Sequence, residues 1–152
     1  MTVAGTLRND AMFASGATHG IVIRSQGFAP ADDLISLSGT LLVDNVGYGA
    51  TSMAVQTQDD DDTQVNSGQI TGHVSLGAGS DTVTTSGTLR GNVWMRADDD
   101  WFTAAGLVEG NIDLGAGNDT FVLESGGGVI DMFGTPGTVA GGTGDDLYYL
   151  TS

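Results

Sequence analysis

The sequence predicts an all-β chain wound as a right-handed parallel β-solenoid, a β-helix or β-roll with coils of about 19 residues. Three observations predict it. The chain repeats itself without gaps. Apolar residues alternate with a period of two. Glycines recur at fixed points between the alternating runs.

The repeat is clearest in three 19-residue stretches, "SGQITGHVSLGAGSDTVTT" (67–85), "SGTLRGNVWMRADDDWFTA" (86–104) and "AGLVEGNIDLGAGNDTFVL" (105–123). Gly68, Gly87 and Gly106 coincide, as do Gly72, Gly91 and Gly110, and then Asp81, Asp100 and Asp119. A weaker beat, an Asp followed six residues later by Gly or Ser, extends over the chain at Asp10, Asp33, Asp62, Asp81, Asp100, Asp119 and Asp146. The steps between these markers are 23, 29, 19, 19, 19 and 27 residues. The long steps imply loops inserted between similar coils, with "DNVGYGATS" (44–52) and "FGTPGTVAG" (133–141) as the expected insertions. The run "QDDDD" (58–62) reads as a solvated turn.

Each coil then builds from its own residues. Ile70, Val74 and Leu76 alternate with small or polar residues, and Leu89, Val93, Met95 and Val108, Ile112, Leu114 repeat them. After the Asp, Val83, Phe102, Phe121 and Tyr148 share one position. Such alternation marks short half-buried strands, and the glycines mark corners. One coil cannot bury its apolar face alone, but a stack of coils can. The Asp62 coil departs from this pattern, because Gln64 and Asn66 fall on positions that are apolar next door. Either its register slips by one and turns Val65 inward, or the stack is locally irregular. The whole of 1–152 is read as one solenoid, regular over 67–150 and less regular, with its register open, over 1–66.

Composition narrows the function. The chain carries 19 acidic against 4 basic side chains, for a net charge of −15. Such a chain repels nucleic acid and anionic membranes, which attract basic patches. Its natural partners are cations. It has no cysteine, so disulfides and thiolate metal sites are excluded. No apolar run reaches the length of a membrane-spanning helix, and no basic-then-apolar leader opens the sequence.

Stacking also places equivalent carboxylates in a row. Asp81, Asp100 and Asp119 would lie about 5 Å apart along one edge, joined by Asp98, Asp99 and Asp145. At an effective dielectric near 20 two such charges repel by roughly 3 kcal/mol. The row must raise its pKa values, splay into water or bind a cation. Carboxylates and turn carbonyls are hard oxygen ligands that suit Ca²⁺. Mg²⁺ requires stricter geometry, and zinc is disfavoured with only His19 and His73 available.

"GGTGDDLYY" (141–149) fits the nonapeptide G-G-x-G-x-D-x-U-x, and "LGAGSDTVT" (76–84) and "LGAGNDTFV" (114–122) fit it except for Leu at the first Gly. In these motifs the chain resembles the RTX (repeats-in-toxin, haemolysin-type) calcium-binding family. The resemblance implies a β-roll exported by a Gram-negative bacterium through type I secretion. It also implies calcium between the Gly-Asp turns of neighbouring coils. Carried over by position, it marks Gly77, Gly79 and Asp81, then Gly115, Gly117 and Asp119, then Gly142, Gly144 and Asp146. "RADDD" (96–100) lacks the glycines, so that Asp98 and Asp100 would bind through carboxylates alone or not at all. Family members have two nonapeptides per coil, whereas this chain has one. Its other corner reads Gly72-His73, Gly91-Asn92 and Gly110-Asn111, a polar ladder instead of a second metal edge.

Catalysis finds little support. No Ser/His/Asp pattern surrounds His19 or His73, which read as surface or corner residues. Trp94 and Trp101 alternate with the core positions and should face outward. Asp113 and Asp131 do not stand out as an acid/base pair among so many carboxylates. Arg90 and Arg96 are the basic residues beside an acidic turn. Ice binding needs a repeated Thr or Asn array, and the third turn position reads Ala78, Ala97, Ala116 and Thr143. The expectation is a non-catalytic, extracellular or surface-associated, calcium-stabilised structural or adhesive module. The alternatives are a subunit that assembles end to end through open solenoid ends, and an accessory module of a secreted polysaccharide-active enzyme.

Overall fold

A computed structural model describes residues 2–3, 6–9, 19–22, 32, 34–43, 53–57, 59–131 and 133–151. Over these residues the chain is all-β, and its strands form three parallel sheets that share one stacking direction. Each coil contributes one strand to each sheet. The first sheet stacks Thr2–Val3, Leu34–Leu37, Thr63–Asn66, Thr82–Thr85, Trp101–Ala104, Thr120–Leu123 and Leu147–Leu150. The second runs from Thr6–Asn9 through Thr40–Val43, Gln69–Thr71, Thr88–Arg90 and Leu107–Glu109 to Gly128–Ile130. The third runs from His19–Val22 through Met53–Gln56, His73–Ser75, Val93–Ala97 and Ile112–Ala116 to Val139–Thr143. The parallel β-solenoid expected from the repeat is therefore the observed architecture, and strands from residues 1–66 belong to the same three sheets.

The 19-residue period is the register of the stack. Thr82 pairs with Trp101, Leu89 with Val108, and Val93 with Ile112. Period-two alternation then sends every second side chain inward. Val83, Phe102 and Phe121 line the first sheet's inner face, Ile70, Leu89 and Val108 the second's, and Val93, Met95, Ile112 and Leu114 the third's, all buried. Each such side chain contributes roughly 1.5–3 kcal/mol of burial. Phe102 and Phe121 stack with ring centroids 5.9 Å apart.

The Asp62 coil keeps its register, which corrects the slip considered above. Gln64 pairs with Val83 and Asn66 with Thr85, and both polar side chains are fully buried. Val65 is 37% exposed and faces outward. Backbone pairing across whole coils fixes the register more firmly than one unfavourable side chain can shift it. Asn66 is accommodated, since its amide donates to Thr85 Oγ1 at 3.0 Å and its oxygen accepts from Gly68 N–H. Gln64 is not: neither amide atom has a hydrogen-bond partner.

The long coils also resolve. Leu41 pairs with Ile70 across 29 residues, whereas Val55 pairs with Val74 across 19, so the extra chain lies between these strands. The insertion 44–52 falls there and lies outside the described residues. In the coil that ends at Asp146 the insertions sit at 124–127 and 131–138, not at 133–141. Val139–Thr143 belongs to the third sheet. Gly127, not Ser125, takes the place of Gly106, because Gly128 pairs with Leu107 and its N–H donates to Gly106 O. The markers Asp10 and Asp33 lie outside the described residues.

Candidate functional site

Each coil passes from the third sheet to the first through a tight turn, and these turns carry the acidic residues. Two places in the turn carry backbone in the left-handed region, the second in each of the glycine-bearing turns and the first in the turns of Gly115 and Gly142 but not in that of Gly77. Gly115 (φ 112°) and Gly142 (φ 99°) supply the first, and Gly79 (φ 124°), Gly117 (φ 155°) and Gly144 (φ 134°) the second. In the "RADDD" coil the same places fall to Arg96 (φ 96°) and Asp98 (φ 79°). There an L-residue pays about 1–2 kcal/mol in strain. A side chain at Gly117 would meet the carbonyl of Asp98, and one at Gly142 the carbonyl of Gly115.

Asp81, Asp100, Asp119 and Asp146 come together as successive rungs at the end of the turn. They join through a directed ladder. The N–H of Asp62 donates to Asp81 Oδ1 at 2.8 Å, that of Asp81 to Asp100 Oδ1 at 2.8 Å, and that of Asp100 to Asp119 Oδ1 at 2.9 Å. The N–H of Asp119 donates to Asp146 Oδ1 at 3.1 Å. Asp62, Asp81, Asp100 and Asp119 are all buried. Asp62 is thus part of the row, not of a solvated turn. Its place was legible in the Asp beat, although its turn has none of the glycines.

A second, exposed rail runs beside the first. Asp61 Oδ1 accepts from Ser80 N–H, Asp99 Oδ1 from Asn118 N–H, and Asn118 Oδ1 from Asp145 N–H. Asp98 Oδ2 accepts from Gly79 N–H at 3.1 Å. The opposite corner carries a third rail, the polar ladder expected there. Asn92 N–H donates to His73 Nδ1, Asn111 N–H to Asn92 Oδ1, and Thr138 N–H to Asn111 Oδ1 at 3.0 Å. His73 is a buried corner residue, and the side chain of His19 lies outside the described residues.

The buried rail is electrostatically loaded. Burial pushes the Asp81 carboxyl up to about 6, against the pull of hydrogen bonds from Asp62 and Gly77. Burial and the charges of Asp81, Asp119 and Asp98 push Asp100 up to about 8. Asp119 moves up too, mainly by burial. The second oxygen of Asp100 and that of Asp119 are buried with no hydrogen-bond partner. An ionised carboxylate cannot rest in that state: it takes a proton or a cation.

The donor set suits a hard cation. It consists of carboxylate oxygens and turn carbonyls, with no thiolate and no imidazole on that edge. Among the described residues no three acidic or imidazole side chains converge on one point. One oxygen of each buried rung is held by a backbone N–H. A cation there would be met by the second oxygens of Asp100 and Asp119, with turn carbonyls completing its shell.

The other residues separate from this edge. Asp131 closes the 131–138 insertion, accepting from the N–H groups of Phe133 and Thr135 and from the Thr135 hydroxyl. Those bonds hold its carboxyl below the usual range. Asp113 lies on the outer face of the third sheet in register with Trp94. Trp101 is 45% exposed and Trp94 half-buried, both turned away from the core as their alternation predicted. Arg90 pairs with Glu109 one coil on. No described helix is long and apolar enough to cross a membrane.

No family model matches the chain, and neither a search of curated proteins nor one of solved structures finds a match.

Proposed function

We propose that this protein is a non-catalytic, extracellular or surface-associated module whose solenoid is stabilised by calcium along the Asp edge. The reading rests on one observation: Asp100 and Asp119 each bury a carboxylate oxygen that no protein group satisfies. A divalent cation supplies the missing partner and cancels the repulsion between rungs. Protonation is the competing solution, and it weakens as pH rises above the raised pKa values. The turns that carry Gly77, Gly79, Gly115, Gly117, Gly142 and Gly144 support the reading, because glycine adds no side chain to compete for space beside the rungs. The sequence likeness to RTX repeats points the same way. With such a likeness, export by type I secretion into a calcium-rich medium is the expected setting.

The test is a calcium titration of EDTA-stripped protein, followed by calorimetry and far-ultraviolet circular dichroism at pH 8. Micromolar to millimolar binding with a higher Tm, and no comparable magnesium response, supports the proposal. Absence of heat and of any stability change sinks it.

A second reading, head-to-tail stacking of copies, is favoured by the strand Leu147–Leu150. Tyr148 and Leu150 pair with the core positions Phe121 and Leu123, yet both are exposed, at 49% and 75%. Another copy's coil would cover them. Light scattering across a concentration series separates a constant mass from growing assemblies.

A further inference from the structure

The second sheet ends differently from the stack behind it. In each regular coil the glycine at the corner after its strand sends its N–H forward to the coil that follows. Gly72 donates to Arg90 O at 2.9 Å, Gly91 to Glu109 O at 3.0 Å and Gly110 to Ile130 O at 2.7 Å. Gly137 stands next in this series, between the pairs Glu109–Ile130 and Ile112–Val139. Its N–H turns back instead and donates to Val129 O of its own coil at 3.1 Å.

Val129 O is the acceptor that faces away from the stack. The groups on either side of it bond backward, Gly128 N–H donating to Gly106 O and Ile130 O accepting from Gly110 N–H. Main-chain groups alternate in direction along a strand, so those of Val129 face the open side. The forward donor and the forward acceptor of this edge are therefore spent on each other.

The closure is a hairpin. Ile130 and Pro136 form an antiparallel bridge, and Asp131 N–H donates to Thr135 O at 2.6 Å. The bonds flanking the bridge come from Val129, Asp131, Thr135 and Gly137, which leaves the main chain of Pro136 facing the open side. Proline brings no N–H there. The Asp131 carboxylate ties the loop, accepting from the N–H groups of Phe133 and Thr135, both at 2.8 Å, and from the Thr135 hydroxyl. The first sheet differs. Among the described residues nothing pairs beyond Leu147–Leu150, and its four side chains are exposed.

We infer that this hairpin is a stop against strand addition, closing the second sheet to a second copy of the chain. The inference rests on the reading that the Leu147–Leu150 end can otherwise receive a copy head to tail. In such a stack the incoming strand Thr6–Asn9, at the opposite end of the second sheet, would pair with Gly128–Ile130. Thr135–Gly137 already runs there in the antiparallel sense. An antiparallel segment that presents proline is a poor template for a parallel coil, and proteins blunt exposed sheet edges in this way.

The experiment measures mass by light scattering across a concentration series, with far-ultraviolet circular dichroism to follow the fold. It compares the unaltered protein with two variants. One has residues 131–136 excised, so that Ile130 joins Gly137 as Glu109 joins Gly110. The other, Asp131→Ala, loosens the loop at full length. The unaltered protein should keep one mass. The excised variant should more than double in mass toward the concentrated end, and Asp131→Ala should grow less steeply. Leu150→Asp added to the excised variant should restore a constant mass by charging the exposed end of the first sheet. Growth of the unaltered protein to the same extent as the excised variant overturns the stop and leaves head-to-tail stacking standing. Constant mass in both loop variants, with the β signal intact, overturns stacking at this end and the stop with it. Growth that survives Leu150→Asp places the contact elsewhere and overturns the stop too. Should excision unfold the chain, Asp131→Ala decides between the same outcomes.

Discussion

Asp100 Oδ1 accepts the backbone N–H of Asp81, one coil earlier, at 2.8 Å, while Asp100 Oδ2 lies buried without a partner. One carboxylate therefore does two opposed things. Its first oxygen fastens two coils together, and its second imposes a penalty whenever the group is ionised. Substitutions can separate the two. Asp100→Ala loses the fastening and should destabilise by about 1–3 kcal/mol at low pH, a cost that shrinks as pH rises toward 8, because the ionisation penalty is removed with the carboxylate. Asp100→Asn keeps an acceptor and removes the charge, so the metal-free protein should gain stability at pH 8 and lose calcium response. Urea unfolding with and without calcium checks both.

The raised pKa values fix the sign of the pH dependence. Asp100 titrates near 8 and Asp81 near 6 in the fold, against 3.8 for an ordinary Asp. A group whose folded pKa is raised contributes stability that is complete below the unfolded value. That contribution disappears as pH climbs through the folded value. The EDTA-stripped protein should therefore lose stability steadily between pH 4 and pH 8. A fall in Tm of more than about 5 °C over that span is expected for a chain of this size. Saturating calcium should flatten the curve, and Asp100→Asn should flatten it without calcium. A metal-free Tm that rises over the same span contradicts the account.

The turn glycines and the two residues that replace them in the "RADDD" coil make opposite predictions. Gly117→Ala and Gly142→Ala drive a Cβ into a neighbouring carbonyl and hold an L-residue in the left-handed region. Each should cost about 2 kcal/mol or more. Asp98→Gly relieves the same strain but gives up its exposed bond to Gly79 N–H, leaving a net gain of about 0.5 kcal/mol. Thermal melts of the four single variants, Arg96→Gly included, rank them.

Gln64 offers a gain in the core. It takes the position of Val83, Phe102 and Phe121, with both amide atoms buried and unsatisfied. Gln64→Leu should stabilise by about 1–3 kcal/mol. Equilibrium unfolding in urea measures it, and a loss of stability would place an unseen partner at that amide. As a contrast, Phe102→Ala breaks the stack on Phe121 and should cost about 3–5 kcal/mol.

Much of this architecture was legible in the sequence because one number, the 19-residue period, encodes the register directly. The alternation at Ile70, Val74 and Leu76 named the inward face, and the Gly-Asn corner was readable as a polar ladder. The Gln64 coil was ambiguous because local pattern and global stacking conflict there, and stacking wins through pairing on both sides. The division of labour within each Asp was hidden altogether. Sequence places a carboxylate on an edge, but only the coil-to-coil geometry shows that a backbone N–H claims one of its oxygens. The strained Arg96 was visible as a missing glycine. Where its guanidinium comes to rest, on Ser75 Oγ and beside the Trp94 ring, was not, since spacing says nothing about where a long side chain settles.

The Asp rungs all point one way. Every N–H reaches toward the coil that follows, and every carboxylate reaches back toward the coil before. A cut through the stack at any rung would leave two unlike faces, one offering donors and the other acceptors. Along this rail the stack has a polarity, as an arrow has: each coil is tied to the next in one sense only, and a further coil would continue the rail only by arriving in that same sense.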